Sequence, residues 1–352
     1  MIIGKDKSNR YLMSSLTRIT DLENFDFDVE KLDREKWGHG DYVAARVTNK
    51  PNPLYQIEIP TGRMAELMED DLIIGVFGKR AATLEGVGDW EAIGDNGQMH
   101  ALTSAGLLGK ATSTSLLLPR FMSLEYEGHV LREGRKQTMR DFIEPVTATE
   151  FDSPVILMVG TSMSAGKTTA GRVIIRELQK AGLRVVGAKF TGAGRYRDTL
   201  SYGDAGAAAI LDFVDAGLPS TIVPEPRFEE AMRYMLSRIA AIEPDVVVAE
   251  AGASPMEPYN GAIAIEALSK HVVFVVLCAL DPYSVVGVEA GFGLRPDVIT
   301  GPATNTTAGI ELAEKLTQLP ALNLMDKESL PRLREMLRAA LPGQLGVTPT
   351  GG

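Results

Sequence analysis

A glycine-bounded loop ending in Lys-Thr, set between an apolar run and a helical stretch, constrains this chain more than any other feature. The loop reads Gly160-Thr161-Ser162-Met163-Ser164-Ala165-Gly166-Lys167-Thr168-Thr169. Before it stands Val155-Ile156-Leu157-Met158-Val159, a buried strand by composition, and residues 170–181 after it have helical periodicity. Strand, loop, Lys-Thr and helix in that order are the layout of a phosphate-binding loop. Main-chain N–H groups wrap the phosphates, the lysine reaches the β- and γ-phosphates, and the threonine hydroxyl can hold Mg²⁺. Five residues separate the two glycines here, against four in the commonest form. By itself the segment is a glycine-rich turn with an exposed lysine. The strand and helix that flank it make a nucleoside triphosphate the expected ligand.

A chain of 352 residues is long for one core, and two domains are expected. Residues 151–352 alternate apolar runs with helical stretches, the pattern of a parallel-sheet α/β domain. Strands are expected at 155–159, 184–188, 246–249, 272–277 and 297–300, and helices at 170–181, 204–216, 228–242, 263–269 and 308–316. Residues 1–150 differ in texture. Short β-like runs at 42–47, 55–59, 72–77 and 122–126 are broken by turn chemistry such as Asn49-Lys50-Pro51-Asn52-Pro53 and Gly94-Asp95-Asn96-Gly97. A smaller, mostly β module of unassigned role is expected there. Gly78-Lys79-Arg80 within it is an ordinary polar turn with a lesser prospect of holding an anion.

Net charge of −10 argues against broad nucleic-acid binding, which needs a basic surface to release counterions. The single cysteine, Cys278, forbids an internal disulfide and thiolate metal clusters. Residues 1–10 are polar and charged and no apolar run has spanning length. No membrane partner is therefore expected, and the cytoplasm is the expected compartment.

In an open parallel sheet, ligands sit at the carboxyl ends of the strands. Lys189 follows the 184–188 run and opens Lys189-Phe190-Thr191-Gly192-Ala193-Gly194-Arg195, where a cation can meet a second anionic group beside the γ-phosphate. Glu250 ends the 246–249 run, a poor place for packing and a good one for Mg²⁺ or its water shell. Asp204, in Gly203-Asp204-Ala205, reads by itself as a helix N-cap. Asn305, in Gly301-Pro302-Ala303-Thr304-Asn305, is a candidate for base or ribose contact, or part of a plain loop. No Asn-Lys-x-Asp guanine signature is present, so ATP is preferred to GTP. His39, His100, His129 and His271 are scattered and are taken as structural.

Loop, lysine, aspartate and glutamate occur in the order seen in dethiobiotin synthetase and its P-loop relatives. That family's Gly-Thr-Asp-Thr-x-Val-Gly-Lys-Thr resembles 160–168 and has the same spacing. Ala181-Gly182-Leu183-Arg184-Val185-Val186-Gly187-Ala188-Lys189-Phe190 resembles its Ala-Gly-Tyr-Arg-x-x-Gly-Tyr-Lys-Pro segment, and Ala249-Glu250-Ala251-Gly252-Ala253-Ser254 its Val-Glu-Gly-Ala-Gly-Gly turn. The likeness covers about residues 153 to 325. It implies Lys167 and Thr168 on phosphates and Mg²⁺, Asp204 and Glu250 as metal-side carboxylates, and Lys189 on the substrate's reacting anion. Ser162 and Met163 depart from the family's Asp and second Thr, and its members lack an N-terminal module. The resemblance thus reaches the superfamily and stops short of dethiobiotin synthesis.

The expected function is an ATP- and Mg²⁺-dependent ligase or kinase that activates a small carboxylate, carbamate or alcohol, with a homodimer expected by the same resemblance. Two other classes stay open. One is a nucleotide-dependent switch or metallochaperone, although Ser162 stands where such proteins usually carry an additional lysine. The other is an acetyl-CoA-dependent N-acetyltransferase, because Asp204-Ala205-Gly206-Ala207-Ala208-Ala209 followed by Asp212-Phe213-Val214 is loosely similar to a P-loop family that includes D-amino-acid N-acetyltransferases.

Overall fold

Uninterrupted β-branched runs such as Val246-Val247-Val248 satisfy a strand only when both faces are covered, and a parallel sheet with helices on each side does this. The computed structural model describes residues 9–49, 56–252 and 254–345, with the backbone of 3–5. Expectations that fall on Lys50 to Tyr55 and on Ala253 lie outside the described residues. Two units separate by packing. One comprises Met1–Pro145, Ala193–Arg197 and Phe213–Pro224; the other comprises Val146–Gly192, Asp198–Asp212 and Glu225–Gly352.

The second unit contains β1 (Val155–Gly160), α1 (Lys167–Lys180), β2 (Val185–Lys189), α2 (Tyr196–Asp204) from Asp198 onward, β3 (Ala209–Asp212), α3 (Glu225–Ala240), β4 (Val246–Glu250), α4 (Gly261–Leu268), β5 (Val272–Cys278), α5 (Pro282–Phe292), β6 (Val298–Thr300), α6 (Thr307–Thr317) and α7 (Leu330–Ala340). Among the described residues the six strands form one parallel sheet in the order β3-β2-β4-β1-β5-β6. The expected parallel α/β unit is therefore present. Ile156, Met158, Val246, Val248 and Val276 pack with Ile174, Ile175 and Leu178 of α1 and with Leu333 and Leu337 of α7. Val155, Leu157, Val159 and Val247 point the opposite way by the pleat and are equally buried. Order reversal places β1 between β4 and β5, so its carboxyl end opens where connections diverge.

One helix departs from expectation. The alanine-rich 204–216 stretch has good helix propensity. Instead α2 lies earlier, at Tyr196–Asp204, and Ala209–Asp212 is an edge strand paired with Val186–Lys189. Gly206 sets this outcome: it sits at φ +101°, and a Cβ there would lie 2.9 Å from the Gln179 side chain. Sheet pairing then overrides propensity in the alanines that follow. Helices α5 and α7 were not anticipated either, although Asp281-Pro282 is a legible cap, the Asp281 carboxylate accepting from Tyr283 and Ser284 N–H.

The first unit is mostly β, as expected. Among its described residues, strands Leu72–Phe77, Tyr42–Val47, Met122–Arg132, Gln98–Ala101 and Leu107–Thr114 pair in that order. Leu107 and Leu108 pair back onto Val76 and Phe77, which closes a five-stranded ring. Alternate residues Val43, Ala45, Ile73, Phe77, Met99, Leu108 and Leu124 fill its interior. The strand expected at 122–126 runs on to Arg132 through a bulge after Tyr126. His129 is buried in this unit, its ring hydrogen-bonded to Tyr126 at 2.6 Å and Asp41 at 3.1 Å. Lys79-Arg80 is a correction. It opens a hairpin strand, Lys79–Ala82, and Lys79 Nζ is held by Asp89 at 2.9 Å and Glu91 at 2.6 Å, so it offers no cradle for an anion. No helix among the described residues is long and apolar enough to cross a membrane.

Candidate functional site

Gly160 ends β1 and the chain turns back on itself to start α1 at Lys167. The turn closes through Gly166 at φ +92°, a left-handed conformation that a side chain disfavours. Its near end is tied to β5, where Thr161 N–H donates to Cys278 O at 3.0 Å and Thr161 Oγ1 accepts from Leu280 N–H at 3.2 Å. Its far end is braced by Gly301, whose backbone lies so close that a Cβ would stand 2.5 Å from Ala165 O. Ala165 is buried, while Ser164 and Thr169 are exposed. Ser162 Oγ is buried and has no hydrogen-bond partner among the described residues. An α-helix leaves its first-turn amides without intrahelical acceptors, and α1 aims that end at the loop.

Lys167 is 2% exposed and folds back over the loop, donating to Ser162 O at 2.6 Å. Burial pulls its ammonium below the ordinary lysine range, opposed by the nearby Glu250 charge. Thr168 Oγ1 donates to Glu250 Oε2 at 3.1 Å, across from the tip of β4. The loop, the lysine, the threonine and the strand-end glutamate expected from sequence thus come together.

Sheet register builds the rest. Lys189 lies opposite Glu250 on one side and Asp212 on the other, so the carboxyl ends of β3, β2 and β4 carry Asp212, Lys189 and Glu250 in a row. All three are buried. Lys189 Nζ donates to Asp198 Oδ2 of α2 at 2.6 Å. Burial works against its charge, but Asp198 and Glu250 outweigh it and the net shift is upward. Asp198 and Glu250 thus favour the charged form of the buried Lys189 ammonium and compensate it. Tyr202, also on α2, donates from its hydroxyl to Glu250 Oε2 at 2.7 Å. Burial and then the Glu250 charge push that phenol well above its usual value.

Asp204 is placed differently from expectation. It is exposed at the last position of α2 instead of capping a helix start. Asp198, six residues earlier, lies roughly 9 Å away along the helix axis, and it is this carboxylate that reaches Lys189. Asn305 is exposed just after the short helix Pro302–Thr304, with its N–H bonded to Pro302 O at 3.2 Å. Sequence reasoning gave no site role to Asp198, Tyr202 or Asp212. Only the helix that carries the first two and the edge strand that carries the third bring them in.

The donor set fits Mg²⁺. It supplies one hydroxyl and one carboxylate, both hard oxygens, beside the 160–169 loop, and Mg²⁺ takes few protein ligands and several waters or phosphate oxygens. Among the described residues no three His, Cys, Asp or Glu side chains cluster as a closed metal site. Cys278, at the end of β5, is buried, and burial pushes its thiol up to about 12.

No protein-family model and no curated protein matches the chain. Solved structures with some likeness include chloroplast FtsY from Physcomitrella patens, 16% identical with a TM-score of 0.36, over 50% of this chain and 59% of that one. The signal recognition particle receptor FtsY from Elizabethkingia anophelis is 18% identical with a TM-score of 0.37, over 52% and 63%. A duf1611 family protein from Anabaena variabilis is 16% identical with a TM-score of 0.37, over 60% and 65%. The chain spans less than two thirds of each of these proteins. Likeness at this level says nothing of chemistry, which rests on the loop and the strand ends that face it.

Proposed function

We propose that the 160–169 loop binds ATP with Mg²⁺ and that the protein transfers the terminal phosphoryl group to a small carboxylate, carbamate or alcohol, as a ligase or kinase. The observation that carries this reading is the contact of Thr168 with Glu250, a hydroxyl and a carboxylate 3.1 Å apart at the mouth of a phosphate loop. Thr168 and Glu250 would hold Mg²⁺, which would supply charge neutralisation to the transferring group. Loop amides orient the polyphosphate, and Lys167 turns its ammonium from Ser162 O to the β- and γ-oxygens. A phosphate oxygen would also satisfy Ser162 Oγ. An ammonium has three donors, so Lys189 can hold an acceptor oxygen while it stays bonded to Asp198. Holding acceptor and phosphoryl in line is most of what such a site must do.

ADP release measured against a panel of small acids and alcohols tests this. Acceptor-stimulated release is expected, and tight ATP binding without it would overturn phosphoryl transfer. Nucleotide-dependent dimerisation in place of turnover would favour a switch. Lys189→Met, similar in length, removes one buried charge-assisted hydrogen bond to the acceptor, worth roughly 1.5–3 kcal/mol. It is expected to lower acceptor-stimulated turnover by about 10- to 100-fold while ATP affinity, measured by calorimetry, changes only a few-fold.

A second reading draws on the charges around Lys189. Asp198, Asp212 and Glu250 flank that one cation, which suits an amine acceptor better than an anionic one. The loop would then hold the diphosphate of acetyl-CoA, and the amine nitrogen would attack the thioester carbonyl, releasing CoA thiol and a proton. Competition calorimetry separates the two readings: CoA binding in preference to ATP favours acetyl transfer.

A further inference from the structure

Tyr202 is fully buried on α2, and the fold makes deliberate room for it. A Cβ at Gly171 of α1 would lie 2.9 Å from its ring, and one at Gly187 of β2 would lie 2.7 Å from its Cβ and 2.8 Å from the ring's Cδ2. Two glycines on two different elements therefore clear the slot in which the ring sits. Interiors are close-packed, so a side chain wedged this way keeps one position. Its hydroxyl is consequently delivered to a fixed point.

At that point stands Glu250 Oε2, 2.7 Å away, the same oxygen that accepts from Thr168 Oγ1. A carboxylate at a strand tip has freedom about its side-chain torsions, and one donor from the loop leaves much of it. A second donor, from the opposite element, fixes the plane of the carboxylate. Outer-sphere partners of this kind commonly set how well a ligating carboxylate is aimed. Apolar packing alone explains the ring and the glycines. It does not explain why a hydroxyl projects from that ring onto the carboxylate oxygen that Thr168 also reaches.

We propose that Tyr202 is a positioning residue that aims the Glu250 carboxylate at Thr168 and at the cation accompanying the bound polyphosphate. This rests on the reading above that the loop takes a magnesium nucleotide.

Calorimetric titration of the full chain with ATP, in excess EDTA and in excess Mg²⁺, tests it. The ratio of the two affinities is the magnesium-dependent gain. In Tyr202→Phe the ring still fills its slot. Metal-free affinity is expected to stay within about twofold, and the gain is expected to fall about 10-fold. Glu250→Gln probes the same contact from the other end without touching the ring, and adding Tyr202→Phe to it is expected to change the gain no further. A Tyr202→Phe gain equal to wild type overturns the proposal, as does an equal loss with and without Mg²⁺, which would mark a packing role only. A wild-type protein with no magnesium-dependent gain overturns the functional reading and this inference together. That result is distinguishable because it appears before any substitution is made.

Discussion

Lys167→Ala is expected to abolish measurable polyphosphate binding while the protein stays folded. The side chain is buried over the loop and bonded to Ser162 O, a carbonyl that phosphate oxygens would replace in the proposed complex. Each charge-assisted hydrogen bond is worth about 1.5–3 kcal/mol, so losing two costs roughly 3–6 kcal/mol, about 100-fold or more in affinity. Stability should suffer little. Alanine is the best helix former, and the buried face of α1, carried by Ala170, Ile174, Ile175 and Leu178, is untouched. Calorimetry with magnesium ATP and with CoA measures the first effect, and far-ultraviolet circular dichroism with a melting curve measures the second. Retained binding of wild-type strength would remove the ground for every reading of this site.

Gly301→Ala is expected to destabilise the second unit and to disable the loop from outside it. Gly301 sits at φ +95° and ψ −163°, a region essentially confined to glycine. Its new methyl would also meet Ala165 O at 2.5 Å and Ala279 O at 2.9 Å, both backbone atoms unable to swing aside. Strain and overpacking together cost on the order of 3 kcal/mol, or roughly 6–12 °C in melting temperature. Because Ala165 belongs to the loop, polyphosphate affinity should fall in the same variant. Gly182→Ala is the matched control. It too has positive φ, +88°, but nothing lies within 4 Å of its Cβ position, so it should lose about 1 kcal/mol and keep its affinity. Equal behaviour of the two variants would show that Gly301 does not brace the loop.

The strand, loop and helix at 155–180 were legible in sequence because the parts are contiguous: one strand, one turn and one helix carry Gly160 to Thr169. Lys189 and Glu250 were legible for a related reason, since each is the last residue of an apolar run and parallel sheets put such residues on one edge. Asp198 and Tyr202 were not. They lie on a helix whose start no local signal marks, and their role depends on which strand faces that helix. Asp212 was hidden inside an alanine-rich run whose propensity points the wrong way, and only pairing with Val186–Lys189 turns it into strand. Asp204 was misplaced by the same run. Gly301 looked like a generic loop glycine, because its approach to Ala165 depends on β6 lying two strands away from β1. In the first unit three of the ring's five strands, at 42–47, 72–77 and 122–126, could be read, while Gln98–Ala101 and Leu107–Thr114 could not. Closure of the ring could not, because the parallel pairing of Leu107 and Leu108 with Val76 and Phe77 is a long-range match with no sequence signature.

The single thiol has a consequence for how the protein meets its surroundings. Cys278 is sealed at the end of β5 and holds its proton far above neutral pH. Thiolate is the form that oxidants and electrophiles attack, and almost none exists here while the sheet is intact. The Cys278 thiol of the native molecule is therefore shielded from oxidants and electrophiles. No disulfide between copies can form without first opening the sheet.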